Sequence, residues 1–179
     1  MRNNPHTLLE ALDVITATMI DFAAACLEAG AEGFFFATRM STLEMLSREE
    51  HLMFSEPYDL RLIRSTSGKT FFSLFHIHGE EGENILFHDI AHYPVEIINW
   101  HDRQNLPTLA DGKKIFPGAV MGGLDEAGAL RQGPPSLIRE HAKDAISQTQ
   151  GRRLILGAGC GLIIDTPEEH LRTFRASVD

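Results

Sequence analysis

Two hydrophobic periods take turns along this chain. Between Thr7 and Gly30, Leu8, Leu12, Ile15, Met19, Phe22, Ala23, Cys26 and Leu27 recur every three or four positions, the spacing of one helix face. Cys26 lies on that stripe and reads as a packing residue. Thr7 and Glu10 have capping-box spacing at its start, and Gly30 stands where a helix ends. The short run EGFFFAT (32–38) then predicts a buried strand. Ser41 and Glu44 form a second capping-box pattern, predicting helix over 41–54 and again over 56–68. Further strands are predicted over 69–79, 95–100, 119–123 and 152–159, with helices at about 83–92 and over 136–151. The segment LADGKKIFPG reads as a turn. Thr166, Pro167 and Glu169 predict the cap, first position and box of a last helix.

Strand and helix alternate five times, and the strands are near-continuous apolar runs. That is the pattern of a parallel α/β sheet, whose strands are buried on both faces. No linker, low-complexity tract or charge run interrupts the chain, so residues 1–179 are expected to form a single domain.

Composition narrows the function. The 179 residues are 43% hydrophobic and 23% charged, as in an ordinary globular protein. Net charge is 16 − 25 = −9, against a nucleic-acid surface, which needs clustered Lys and Arg. No apolar stretch approaches the roughly 20 residues of a membrane span. The N-terminus lacks an apolar core and small-residue cleavage site, and two cysteines make no disulfide framework, so a cytoplasmic location is expected.

Parallel α/β folds gather chemistry at the carboxyl ends of their strands. Those ends carry Thr38 and Arg39, then His76 and His78, then Asn99 with His101 and Asp102, then Asp125 and Glu126, and finally Cys160 between glycines. Residues i and i+2 of a strand share a face, so His76 and His78 point together. Two imidazoles and one thiolate suit zinc with an open fourth position, the catalytic arrangement. The same residues also suit a hydrogen-bonded strand end and a small side chain packed in a glycine turn. A rival pair, His88 and His92, has the i, i+4 spacing of a helical zinc motif but carries Asp89 where that motif has Glu. His6, His51, His141 and His170 read as solvated surface.

An ordered set of segments resembles the uroporphyrinogen decarboxylase superfamily. RRLILGAGCGLIIDTPEEHLRTF resembles its last strand and helix, and MGGLDE its Gly-Asn-Leu-Asp-Pro segment. CLEAGAEGFFFATRMSTLEMLSREEH resembles its Gly-Ala-Asp strand with the acidic helix after it, and FFSLFHIHG stands at its His-x-Cys-Gly strand. The resemblance implies the C-terminal five strands of a TIM-type (β/α)8 barrel, incomplete in this chain. Five strands cannot close a barrel shaped for eight. The open edges then call for a homo-oligomer or a missing N-terminal half.

The decarboxylase branch acts on a tetrapyrrole, in heme biosynthesis. Its arginines and aspartate come early in the fold, and its later serine and Gly-His-Gly histidine fall at Thr38 and Cys160. The methyltransferase branch binds zinc through His-x-Cys and a distant Gly-Cys-Gly cysteine. By that likeness His76, His78 and Cys160 are the metal ligands, with His78 in place of a cysteine. The implied function is zinc-dependent methyl transfer to a thiol from a corrinoid-type donor, free or on a corrinoid protein. Asp125 and Glu126 are then candidate catalytic groups, and Thr38, Arg39 and Asn99 candidate contacts to a small-molecule substrate. A truncated barrel acting only as a binding or assembly module is the third reading.

Overall fold

The computed structural model describes residues 3–178. Helix α1 (Pro5–Glu28) leads into β1 (Gly33–Thr38), followed by α2 (Arg48–Phe54) and α3 (Glu56–Thr66). Then come β2 (Phe72–Ile77), α4 (Phe87–Ile90), β3 (Ile97–Trp100), α5 (Leu109–Ile115) and β4 (Ala119–Leu124). The chain closes with α6 (Ala129–Gln132), α7 (Pro135–Thr149), β5 (Leu154–Ala158), α8 (Glu168–Arg175) and a 3₁₀ turn. All five strands pair in parallel in the order β1-β2-β3-β4-β5, the sequential wall of a partial (β/α) barrel.

Register decides what the sheet can do. Ala37 pairs with His76, His76 with Asn99, and Asn99 with Met121. Registered partners in parallel strands share a face, so these residues line one side of the sheet. The opposite side carries Phe75, Ile77, Ile98, Trp100 and Val120, the centre of the hydrophobic core, with Ile77, Ile98, Trp100 and Val120 wholly buried. Helix α7 presents Ile138, Ala142, Ala145 and Thr149, spaced four, three and four residues apart, as a buried stripe. It comes so close that a Cβ on Gly123 would stand 2.6 Å from that of Ala145, and Gly123 also holds φ +113°.

Several helix boundaries differ from the sequence expectation. Asn4, not Thr7, precedes α1, which begins with Pro5 in its first turn. The working capping box belongs to Ser47 and Glu50 rather than Ser41 and Glu44. Ser41–Leu46 instead forms a bridge and turn, and Glu44 accepts hydrogen bonds from Asn84. Pro167 caps α8, while Thr166 Oγ1 donates to the Ile163 carbonyl. The helix expected over 83–92 shrinks to the four residues of α4.

The supposed turn LADGKKIFPG contains α5, capped by the Thr108 side chain on the Asp111 N–H. Gly112 sits inside that helix because Trp100 leaves no room: a Cβ there would stand 2.7 Å from its ring. The apolar stripe of α1 is only partly covered, with Ile15 57% and Phe22 61% exposed. No helix among the described residues is long and apolar enough to cross a membrane.

Candidate functional site

Strand alternation carries each terminal side chain two residues beyond a registered pair. His76 and Asn99 lie side by side, so His78 and His101, each two residues on, meet above them. His101 Nε2 stands 3.3 Å from His78 Nδ1. From the far edge, Gly159 N–H bonds to the Leu124 carbonyl and turns the chain so that Cys160 faces His76 and His78. Its Sγ lies 3.6 Å from His76 Nε2 and 3.8 Å from His78 Nδ1. One donor atom from each of His76, His78, His101 and Cys160 lies within 4.8 Å of all the others.

Each histidine is held from behind. His76 Nδ1 faces Asn99 Oδ1 at 2.7 Å. His101 Nδ1 stands 3.1 Å from Glu126 Oε1, and both side chains are 7% exposed. Arg39 Nη1 contacts His78 Nε2, and its Nη2 donates to Glu80 at 2.6 Å. Burial pushes His76 down to about 4, against the opposing pull of its Asn99 hydrogen bond. Burial and the neighbouring His101 also lower His78. Both rings are therefore neutral at pH 7, the form that binds metals. Burial alone would lower His101 too, but the hydrogen bond and charge of Glu126 outweigh it and raise this group. Burial pushes the Cys160 thiol up, so without a cation beside it the sulfur keeps its proton.

The remaining expected site residues stand around this cluster. Asp125 turns inward on its own loop, accepting hydrogen bonds from the Ala127 and Gly128 N–H groups and from Gln104. Thr38 Oγ1 hydrogen-bonds Ser41. His88 and His92 stay apart from the cluster: His92 pairs with Glu56 at 3.5 Å, beyond the end of α4. Three histidines expected as solvated surface are drawn inward: His141 and His170 are half-buried, with His170 Nδ1 2.9 Å from the Leu130 carbonyl. His51 is wholly buried with neither ring nitrogen partnered among the described residues, and His141 Nδ1 is likewise buried and unpartnered.

His101 joins the cluster although sequence reasoning left it outside the metal set. The signal was present. It stands two residues after Asn99, as His78 does after His76, and the same alternation rule covers both.

The donor chemistry is that of a zinc or similar borderline metal: three imidazole nitrogens and one sulfur, all from strand ends of a parallel sheet. All four donors stand at the carboxyl rim of a partial (β/α) barrel wall. The profile of the uroporphyrinogen decarboxylase (URO-D) family matches residues 1–179, and the chain belongs to that family.

It is 28% identical over 172 residues to the methylcobamide:CoM methyltransferase MtaA of Methanosarcina barkeri, covering 95% of this chain and 48% of the relative. It is 32% identical over 136 residues to uroporphyrinogen decarboxylase of Prochlorococcus marinus, covering 72% of this chain and 36% of the relative. A solved methyltransferase structure from Methanosarcina mazei superposes with a TM-score of 0.80 at 24% identity, over 94% of this chain and 48% of that one. The chain thus spans about half the length of the methyltransferases it matches.

Proposed function

We propose that this chain carries the metal-binding part of a methyltransferase that moves a methyl group from a corrinoid-type donor to a thiol. The observation that supports it is the meeting of His76, His78, His101 and Cys160 donor atoms within 4.8 Å. His76, His78 and Cys160 are the proposed zinc ligands, with His101 as a further donor. Zinc bound there would supply Lewis acidity, which lets a substrate thiol lose its proton near neutral pH.

The chain's own residues do the rest. Glu126 orients His101 through Nδ1 and leaves its Nε2 toward the cluster. Asp125 shapes the loop that carries Glu126 through its bonds to Ala127 and Gly128. Arg39, more than half exposed at the rim, offers its guanidinium to an anionic group of the substrate once it turns from His78 and Glu80. The exposed sheet edges are the proposed seat of a second copy of this chain or of the strands that complete the barrel.

Metal analysis tests the reading. Protein purified without a polyhistidine tag is expected to hold close to one equivalent of zinc, and Cys160→Ala to lose most of it. With methylcobalamin and a small anionic thiol as probes, the zinc-loaded protein is expected to form the thioether. Absence of zinc from the unaltered protein, or an unchanged content in Cys160→Ala, overturns the proposal. Turnover of uroporphyrinogen with no zinc requirement would move the assignment to the decarboxylase branch.

A further inference from the structure

We infer that Asn99 is a positioning residue that selects the nitrogen His76 presents to the donor cluster. This rests on reading that cluster as a metal site. Asn99 is 2% exposed, so it lies beyond the reach of a substrate, and its whole amide is engaged with the protein. Its Nδ2 donates to the Met121 carbonyl at 2.9 Å and to the Ala158 carbonyl at 3.1 Å. A flipped amide would set Oδ1 against those two carbonyl oxygens, three acceptors with no proton between them. The orientation of Asn99 is therefore fixed by the backbones of β4 and β5.

With the amide fixed, Oδ1 faces His76 Nδ1 at 2.7 Å and can only accept. The imidazole must carry its proton on Nδ1. Its Nε2 is left with a bare lone pair, directed at the cluster 3.6 Å from Cys160 Sγ. A ligating histidine needs that arrangement, in which one nitrogen donates to a fixed acceptor and the other stays free for the metal.

His78 shows the contrast. Its outer nitrogen Nε2 stands between the Arg39 guanidinium, a donor, and Glu80 Oε1 at 3.6 Å, an acceptor, so no single fixed partner sets its tautomer. Of these two histidines, His76 is the one preset for a metal. Asn99 thus makes His76 the anchor ligand, and it does so by linking β2, β3, β4 and β5 at one level of the sheet.

The metal-free protein tests this directly. Long-range proton–nitrogen NMR at neutral pH, with the His76 ring assigned by its loss in His76→Gln, is expected to show Nδ1 protonated and Nε2 bare. A ring protonated on Nε2 overturns the inference. Cobalt(II) titration then supplies a second readout. Asn99→Leu is expected to weaken cobalt binding about 10–100-fold. Asn99→Asp, which still accepts from Nδ1 but sets its second carboxylate oxygen against the Met121 and Ala158 carbonyls, is expected to keep the tautomer while lowering the unfolding midpoint. Equal cobalt affinity in unaltered protein and Asn99→Leu overturns the role of Asn99 while leaving the metal site standing. The expected tautomer in a protein that takes up neither cobalt nor zinc upholds the Asn99 assignment and overturns the metal reading instead.

Discussion

Phe35 and Phe75 are the same residue type on adjacent strands, one position out of register, and they live in different environments. Phe36 pairs with Phe75, so Phe35 pairs with Leu74 and faces the other way. Phe75 is 2% exposed and packs edge-on to Tyr93 at 5.1 Å. Phe35 is 60% exposed and lies near the His76 ring, with centroids 5.9 Å apart. One face of the sheet is closed by its own helices and holds the fold together. The other leaves Phe35 open to solvent and gathers at its rim the polar side chains of the proposed metal site. Stability and the proposed function are thus separated by the two-residue period of the strand.

The separation breaks most visibly at Phe75. Truncation to alanine empties a packed site and is expected to cost about 3–5 kcal/mol. Chemical denaturation should register this as a lower midpoint with an unchanged slope. A loss below about 1 kcal/mol would mean that the helix-covered face is not the core.

A carboxylate beneath that face gives the next largest effect. Asp59 on α3 accepts hydrogen bonds from Ser55 at 3.0 Å and from Tyr93 at 3.2 Å, just behind the Phe75 ring. Burial pushes it up from 3.8 to about 6, with those two hydrogen bonds opposing the rise. Below pH 3.8 the group is protonated in both folded and unfolded chains and changes nothing. As pH rises toward 6 the unfolded chain gives up its proton first, so stability falls across that window. Above it the full cost remains, on the order of 3 kcal/mol for a rise from 3.8 to about 6. Asp59→Asn is therefore expected to raise the melting temperature at pH 7.5 and to leave it nearly unchanged at pH 3.5. An equal gain at both values would show that charge is not the cause.

The same division explains what could be read from the chain. Strands were legible because their apolar runs are local, and the meeting of His76, His78 and Cys160 was an expectation from strand ends alone. Helix α5 was not, since Gly112 looks like a turn residue until the Trp100 ring above it is known. The capping box expected at Ser41 and the one found at Ser47 have the same spacing, and tertiary partners choose between them: Glu44 is taken by Asn84, leaving Glu50 to cap. His51 looked like a surface residue because its helix is polar at neighbouring positions, and only the packing of α2 buries it. The local periods give the elements, while the partner of a given side chain is a long-range fact.

The smallest effect is the sharpest probe of the open face. Phe35 keeps about two-fifths of its surface from water, since it is 60% exposed. Burial of a whole phenylalanine side chain is worth about 1.5–3 kcal/mol, so Phe35→Ala in this chain alone is expected to cost about 1 kcal/mol or less. Its unfolding midpoint should not move between protein concentrations a hundredfold apart. If instead the loss approaches that of Phe75→Ala and the midpoint rises with concentration, a second copy covers the face in solution. A large loss without concentration dependence would mean that the chain folds its own surface over Phe35. The inner wall would then be a second core, and the division between the two faces would no longer hold.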